Sequence, residues 1–198
     1  MTDDDVPSTI DLRSPVDAAE WARTAMAKRP WRADMFAHIA EQLAGRTRVL
    51  ELGSGPGFLA AHLLGRLALD YVALDFSAAM HELARARLGA AAARVTFVER
   101  DFLDPSWPNG LGPFDAVVTM QAVHELRHKS RAAALHAQVR GLVPGGVYLV
   151  CDHVLGELTN ESLYMTEAEQ LAALRAGGFA DVKLVARVHG LGLVAATA

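Results

Sequence analysis

The run ELGSGPG at residues 51–57 places Glu51, Gly53, Gly55 and Gly57 at alternate positions. Glycine admits positive φ and lets a ligand approach the backbone where a Cβ would clash. Downstream, Asp75 and Asp101 each follow a short apolar run, and a carboxylate so placed can accept from paired hydroxyls or from an amino group. A later run is followed by Gln121, His124 and Glu125. An imidazole titrates near neutrality, so His124 is the candidate base where an acceptor hydroxyl or protonated amine needs one, with Glu125 second. Taken singly, each has a plainer reading: turn carboxylates for the aspartates, a helix-start or packing residue for His124, an exposed loop amide for Gln121. Their order along one chain argues for one site.

The elements that must position these residues are legible. Apolar segments at residues 49–52, 71–74, 95–98, 116–120 and 147–151 read as strands, most of them continuous enough to be buried on both faces. Alanine- and leucine-rich stretches at 58–67, 78–88 and 130–142 lie between them with helical spacing. Alternating strand and helix predicts a doubly wound, mostly parallel α/β sheet. Residues 102–113 hold three prolines and two glycines and read as loop. Thr166 and Glu169 form a capping box that starts a helix ending near Gly177 and Gly178. Segments 182–188 and 191–195, joined by His189 and Gly190, complete seven strands, the last one antiparallel. Ligands in such sheets bind at the carboxyl ends of the strands, where the glycine run and both aspartates fall.

Residues 1–45 carry no strand pattern and are expected to form a helical cap packed on a main domain of residues 46–198. Ser14, Pro15 and Asp17 mark a helix start, and a second helix is expected from about Asp34 to Leu43.

Two nucleotide ligands suit the glycine run. A dinucleotide fingerprint can be placed on Gly55, Gly57 and Ala60, with Asp75 about 20 residues on. That alignment begins late after the strand, and Pro56 removes an N–H that a pyrophosphate would use. The other spacing, acidic-x-Gly-x-Gly-x-Gly from Glu51 to Gly57, resembles the first motif of the class I S-adenosylmethionine-dependent methyltransferases. ALDFSAAM (residues 73–80), VERDFLD (98–104), FDAVVTMQAVHEL (114–126) and LVPGGVYLV (142–150) resemble that family's later motifs, in order. The resemblance implies S-adenosylmethionine as cofactor, held at Glu51, Gly53, Gly55 and Gly57. It implies that Asp75 bonds the ribose hydroxyls, that Phe76 and Met80 flank the adenine, and that Asp101 and the Phe102 backbone meet the adenine edge. Gln121 would contact the methionine moiety or the acceptor.

Methyl transfer needs alignment more than a dedicated catalytic group. Only residues 154–165 separate the fifth strand from the next helix; they span at most about 40 Å, enough for a flap and too little for a cap domain. The roof is therefore expected from residues 21–36, where Trp21, Trp31, Lys28, Arg29 and Arg32 gather around Pro30, a composition suited to an aromatic pocket with a cation for an anionic acceptor. Trp21 is expected to pack; Trp31 and Arg32, with His153 and Tyr164, are expected to face the acceptor.

Composition limits the alternatives. The 198 residues carry 19 Lys and Arg against 23 Asp and Glu, a net charge of -4 with no basic stripe, so nucleic acid and anionic membrane surfaces are not expected partners. The single cysteine, Cys151, the lack of an apolar leader and the lack of a transmembrane-length stretch point to a cytoplasmic protein. His38, His62, His81, His128, His136 and His189 show no metal-ligand spacing, and no metal is expected. The leading reading is a methyltransferase acting on a small molecule; a nicotinamide-dependent oxidoreductase and a non-catalytic S-adenosylmethionine-binding module are the alternatives.

Overall fold

A computed structural model describes residues 5–156 and 158–198; the acidic opening at residues 1–4, and Glu157 in the short segment after the fifth strand, lie outside them. Helices α1 (Pro15–Lys28) and α2 (Arg32–Gln42) precede β1 (Arg48–Leu52), α3 (Phe58–Leu64), β2 (Asp70–Asp75), α4 (Ala78–Leu88), β3 (Val95–Glu99) and β4 (Ala116–Met120). Then follow α5 (Ala132–Leu142), β5 (Val147–His153), α6 (Glu167–Ala176), β6 (Asp181–Val188) and β7 (Leu191–Thr197).

The strands form one sheet in the order β3-β2-β1-β4-β5-β7-β6. All neighbours are parallel except β7, which pairs antiparallel with both β5 and β6. The order reverses between β1 and β4, so the connections leaving these two strands diverge and open a crevice at their carboxyl ends. Side-chain alternation sends Leu50, Leu52, Val117 and Tyr148 to the face covered by α5 and α6. Val49, Ala116, Val118 and Leu149 go to the face covered by α2 and α3. The continuous burial of β1, β2, β4 and β5 is what a strand covered on both faces requires.

Several element ends differ from the expected ones by one to three residues, for identifiable reasons. Helix α3 stops at Leu64 because Gly65 takes the C-cap. The stretch expected to be helical from residue 130 begins with a tight turn at Lys129–Arg131 before α5 starts. Ser14 accepts from the Asp17 N–H at 3.3 Å and Pro15 occupies the first helical position of α1. α1 buries only small residues, Ala18, Ala22 and Ala25, against the body of the protein near α4, while α2 inserts Met35, Phe36 and Ile39. Loop 102–113 has no strand or helix and is pinned by the buried Trp107, whose indole N–H donates to Gln138 Oε1 at 2.8 Å. Among the described residues, no helix is long and apolar enough to cross a membrane.

The capping box is formed: Thr166 Oγ1 accepts from the Glu169 N–H at 3.2 Å, and Glu169 Oε2 accepts from the Thr166 N–H at 2.7 Å. Glu169 also holds Lys129 at 2.6 Å, tying α6 to the turn before α5. Thr166→Ala should lower the urea unfolding midpoint by the equivalent of about 1 kcal/mol at unchanged slope; a midpoint equal to that of the parent protein would show that the cap contributes nothing to stability.

Candidate active site

The three glycines at the β1 carboxyl end all have positive φ, +68° at Gly53, +51° at Gly55 and +76° at Gly57. Two of them are needed for packing. A Cβ on Gly53 would lie 2.4 Å from the Ala122 Cβ in the loop after β4, and one on Gly57 would lie 3.0 Å from the Ala84 Cβ of α4. Gly55 faces open space, where a side chain would meet a ligand instead of the protein. Its N–H donates to Asp75 Oδ2 at 2.7 Å, and the Ser77 N–H donates to Asp75 Oδ1 at 3.0 Å. Each carboxylate oxygen keeps a lone pair for a further donor. Burial raises the Asp75 pKa to about 6 against the pull of those backbone donors.

These residues border a cavity of about 650 Å³ at the carboxyl ends of β1, β2, β4 and β5. Glu51, Gly53, Gly55, Asp75, Phe76, Met80 and Phe102 line one half of it. Glu51 is buried and accepts from the Tyr71 hydroxyl at 2.7 Å; burial pushes its pKa up to about 8, so it is largely neutral at pH 7 until a cation faces it. The Ser54 hydroxyl is buried at the same wall without a hydrogen-bond partner. Paired acceptors, open glycine backbone, apolar Phe76 and Met80 and an orphaned hydroxyl fit an adenosine with a charged amino-acid tail. Gly57 stands behind this wall. Asp101 lies in an adjoining depression, where Oδ1 accepts from the Leu103 N–H at 2.9 Å and Oδ2 pairs with Arg13 at 3.0 Å.

Arg13 belongs to a strap that sequence reasoning did not identify. Its guanidinium lies 4.4 Å from the Phe76 ring centroid, Ser77 donates to the Leu12 carbonyl, and the Val6 N–H donates to the Arg127 carbonyl at 3.0 Å. Thr9, Ile10 and Leu12 thereby join the cavity wall.

The other half of the cavity is built around a buried carboxylate. Asp152, near the β5 carboxyl end, is 3% exposed. Its Oδ2 accepts from the His124 N–H at 3.2 Å, and its Oδ1 accepts from the His153 N–H and from His124 Nδ1, both at 2.7 Å. Burial opposes charge on His124, but the Asp152 charge and hydrogen bond outweigh it and raise the pKa to about 10. Asp152 is held below the usual carboxylate range, where its pairing with His124 outweighs burial. His153 goes the other way, to about 4, through burial and the nearby positive charges of His124, Arg29 and Arg32. Cationic His124 and neutral His153 stand with ring centroids 5.3 Å apart, and Tyr164 closes the group at 5.5 and 5.6 Å. Sequence reasoning passed over Asp152; the signal was a lone carboxylate ending an apolar strand, as at Asp75 and Asp101.

Gln121 joins this half to the helical cap. It has φ +55°, rare for a residue with a side chain, and its N–H is held by the Cys151 carbonyl at 2.7 Å. Arg32 Nε donates to its Oε1, which turns its amide nitrogen to His153 Nε2 at 2.8 Å. The His153 Nε2 therefore accepts, in keeping with a neutral ring. The cap corrects one expectation. Trp31 turns away from the cavity and packs on the His189 ring, 4.6 Å between centroids, whereas Trp21 lines the cavity with Asp17 one turn earlier. Trp31 sits at the start of α2 and follows its entry onto the protein body, while the side chains of residues 17 and 21 share one face of α1.

The expectation of no metal did not weigh His124, Asp152 and His153 as a set. Each brings a ligand atom within 4.8 Å of the others.

The family model described as a methyltransferase domain matches residues 49–146. A 90-residue stretch covering 44% of the chain is 40% identical to protein-L-isoaspartate O-methyltransferase of Methylorubrum extorquens (strain PA1), and covers 38% of that protein. An O-methyltransferase family protein from Burkholderia thailandensis superposes with a TM-score of 0.77 at 21% identity, over 92% of this chain and 60% of that one. Human N-acetylserotonin methyltransferase, solved with its cofactor, gives 0.74 at 17% identity, over 94% and 57%. The DesVI protein of Streptomyces venezuelae gives 0.73 at 19%, over 91% and 97%. The chain thus spans well under two thirds of the length of the first of these relatives; residues 49–146 match a methyltransferase domain, and the fold is that of these solved methyltransferases.

Proposed function

We propose that the protein transfers a methyl group to a hydroxyl of a small-molecule acceptor, with His124 taking the hydroxyl proton. The observation that carries this reading is the buried Asp152–His124 pair facing the same cavity as the glycine loop and Asp75. When bound, S-adenosylmethionine supplies a methyl group on a cationic sulfur, already activated for in-line displacement. Asp75 and the backbone around Gly55 would hold its adenosine; Glu51 would answer a cationic tail by ionising.

Asp152 Oδ1 fixes the imidazole through Nδ1, which leaves Nε2 as the atom that can exchange a proton with an acceptor; Glu125 Oε1 stands 3.4 Å from Nε2. With a pKa near 10 the ring is cationic at neutral pH, so its basic form grows as pH rises. A positive charge brought into the cavity disfavours the imidazolium and returns His124 toward the basic form. The cavity volume is in the range of small-molecule sites, which supports a small acceptor.

We read Asp152 as a proton-bonded partner, since both its oxygens already accept N–H donors, three in all. A metal would have to displace them. Turnover should therefore survive exhaustive treatment with EDTA, and loss of activity restored by a divalent cation would replace the proton pair by a metal centre.

Asp75→Ala removes two hydrogen-bonding oxygens from a site where bonds to charged groups are worth about 1.5–3 kcal/mol each. Calorimetric affinity for S-adenosylhomocysteine should fall at least about tenfold; unchanged affinity would displace the ribose from Asp75.

Asp152→Asn leaves burial as the main influence on His124, so its pKa should drop. The rate of the parent protein should climb with pH through the alkaline range, and the Asn variant should show its inflection at lower pH with a reduced maximum. Superimposable pH profiles would remove His124 from proton transfer.

A further inference from the structure

We propose that the acceptor is an organic acid whose anionic group is held by Arg32 and Arg29, next to the atom that is methylated; this deepens the preceding reading and rests on it. Arg32 is 4% exposed and, among the described residues, hydrogen-bonds only to neutral groups, the Gln121 side chain and the Ala25 carbonyl at 3.0 Å. Among the described residues it forms no ion pair. Its pKa is lowered to about 10, first by burial and then by Arg29. Arg29 lines the same cavity and likewise makes no ion pair among the described residues.

A buried guanidinium without a countercharge is strongly unfavourable, and a second cation beside it adds repulsion. A protein keeps such a pair where a ligand supplies the anion, and the planar five-donor fork of arginine suits a carboxylate. The position of the pair selects which ligand. Arg32 is joined through the Gln121 side chain to His153, and Arg29 lines the same cavity, which sets the pair toward the His124 half. Trp21 lies beneath Arg32, 5.6 Å from ring centroid to guanidinium carbon. With Tyr164 it offers flat apolar surface, suited to a planar acid that carries its hydroxyl toward His124.

The test uses the full chain saturated with S-adenosylhomocysteine and titrated with a set of hydroxybenzoates and hydroxycinnamates, each beside its methyl ester. At least one acid should bind about tenfold or more tighter than its ester, as one charge-assisted hydrogen-bonded contact predicts. Arg29→Met should erase that difference and leave S-adenosylhomocysteine affinity nearly unchanged. Arg32→Met should do the same; Arg29→Met, at a half-buried position, serves as the test should Arg32→Met not fold. Esters binding as well as acids, no acid binding, or a collapse of S-adenosylhomocysteine affinity in Arg29→Met would each overturn the proposal, the last by assigning the arginines to the cofactor's carboxylate. Acids bound with the expected preference but never methylated would retain the anion subsite and sink the methyl-transfer reading; acids and esters methylated alike would do the reverse.

Discussion

A carboxylate that water does not reach must be answered by the protein, and Asp152 is answered by three N–H groups. Two of those donors belong to His124, so the loop after β4 has to fold back over the end of β5. That demand accounts for the local geometry. Gln121 takes a left-handed conformation to turn the chain, and its N–H is caught by Cys151, one residue before Asp152. Leaving any one donor out would strand a buried charge, a larger cost than the backbone strain at one residue. The pair therefore organises the half of the site that could do chemistry.

The other half depends on close approach instead of charge. Gly53 has to be glycine so that Ala122 can come near, and Ala122 is what carries the chain on to His124. The glycine loop and the histidine loop are thus packed against each other, and Gly53 and the chain leading to His124 cannot move independently. Sheet order makes this possible, because β1 and β4 are neighbours and their following loops leave in opposite directions. The strap at residues 9–13 then covers the Asp75 end, and α1 and α2 cover the His124 end.

What could be read from the chain alone follows the reach of each signal. Strand and helix periodicity, the Thr166 capping box and the Ser14 helix start are local patterns, and the elements they mark formed close to their expected bounds. Residues tied to strand carboxyl ends, such as Glu51, Asp75 and His153, reached the cavity because the sheet itself puts them there. The missed features depend on the rotation or docking of segments that have no such tie. Trp21 and Trp31 stand on either side of the break at Pro30, and composition does not set the phase of α1 against that of α2. Arg13 meets Asp101 across 88 positions of sequence, a pairing no periodicity encodes. Asp152 was visible as a residue but not as the partner of His124, since the two are joined only by the turn at residue 121.

The cavity is divided by charge as well as by shape. Glu51 and Asp75 stand on one side, and burial raises the pKa of both. Arg29 and Arg32 stand on the other, beside a His124 already answered by Asp152 and Glu125, with the neutral amide of Gln121 linking Arg32 to His153. Each side is short of the opposite sign: the acids would be stabilised as anions by a cation, and the arginines by an anion. A cationic sulfonium and an anionic acceptor are complementary to this division and to each other. Bringing both in lets the two ligands neutralise one another and the walls at once, so each should bind better in the presence of the other. Methyl transfer abolishes the sulfonium charge, and with it that mutual attraction. The same charge division that favours assembly of the reactants then weakens the hold on the products, which is the direction a turnover cycle needs.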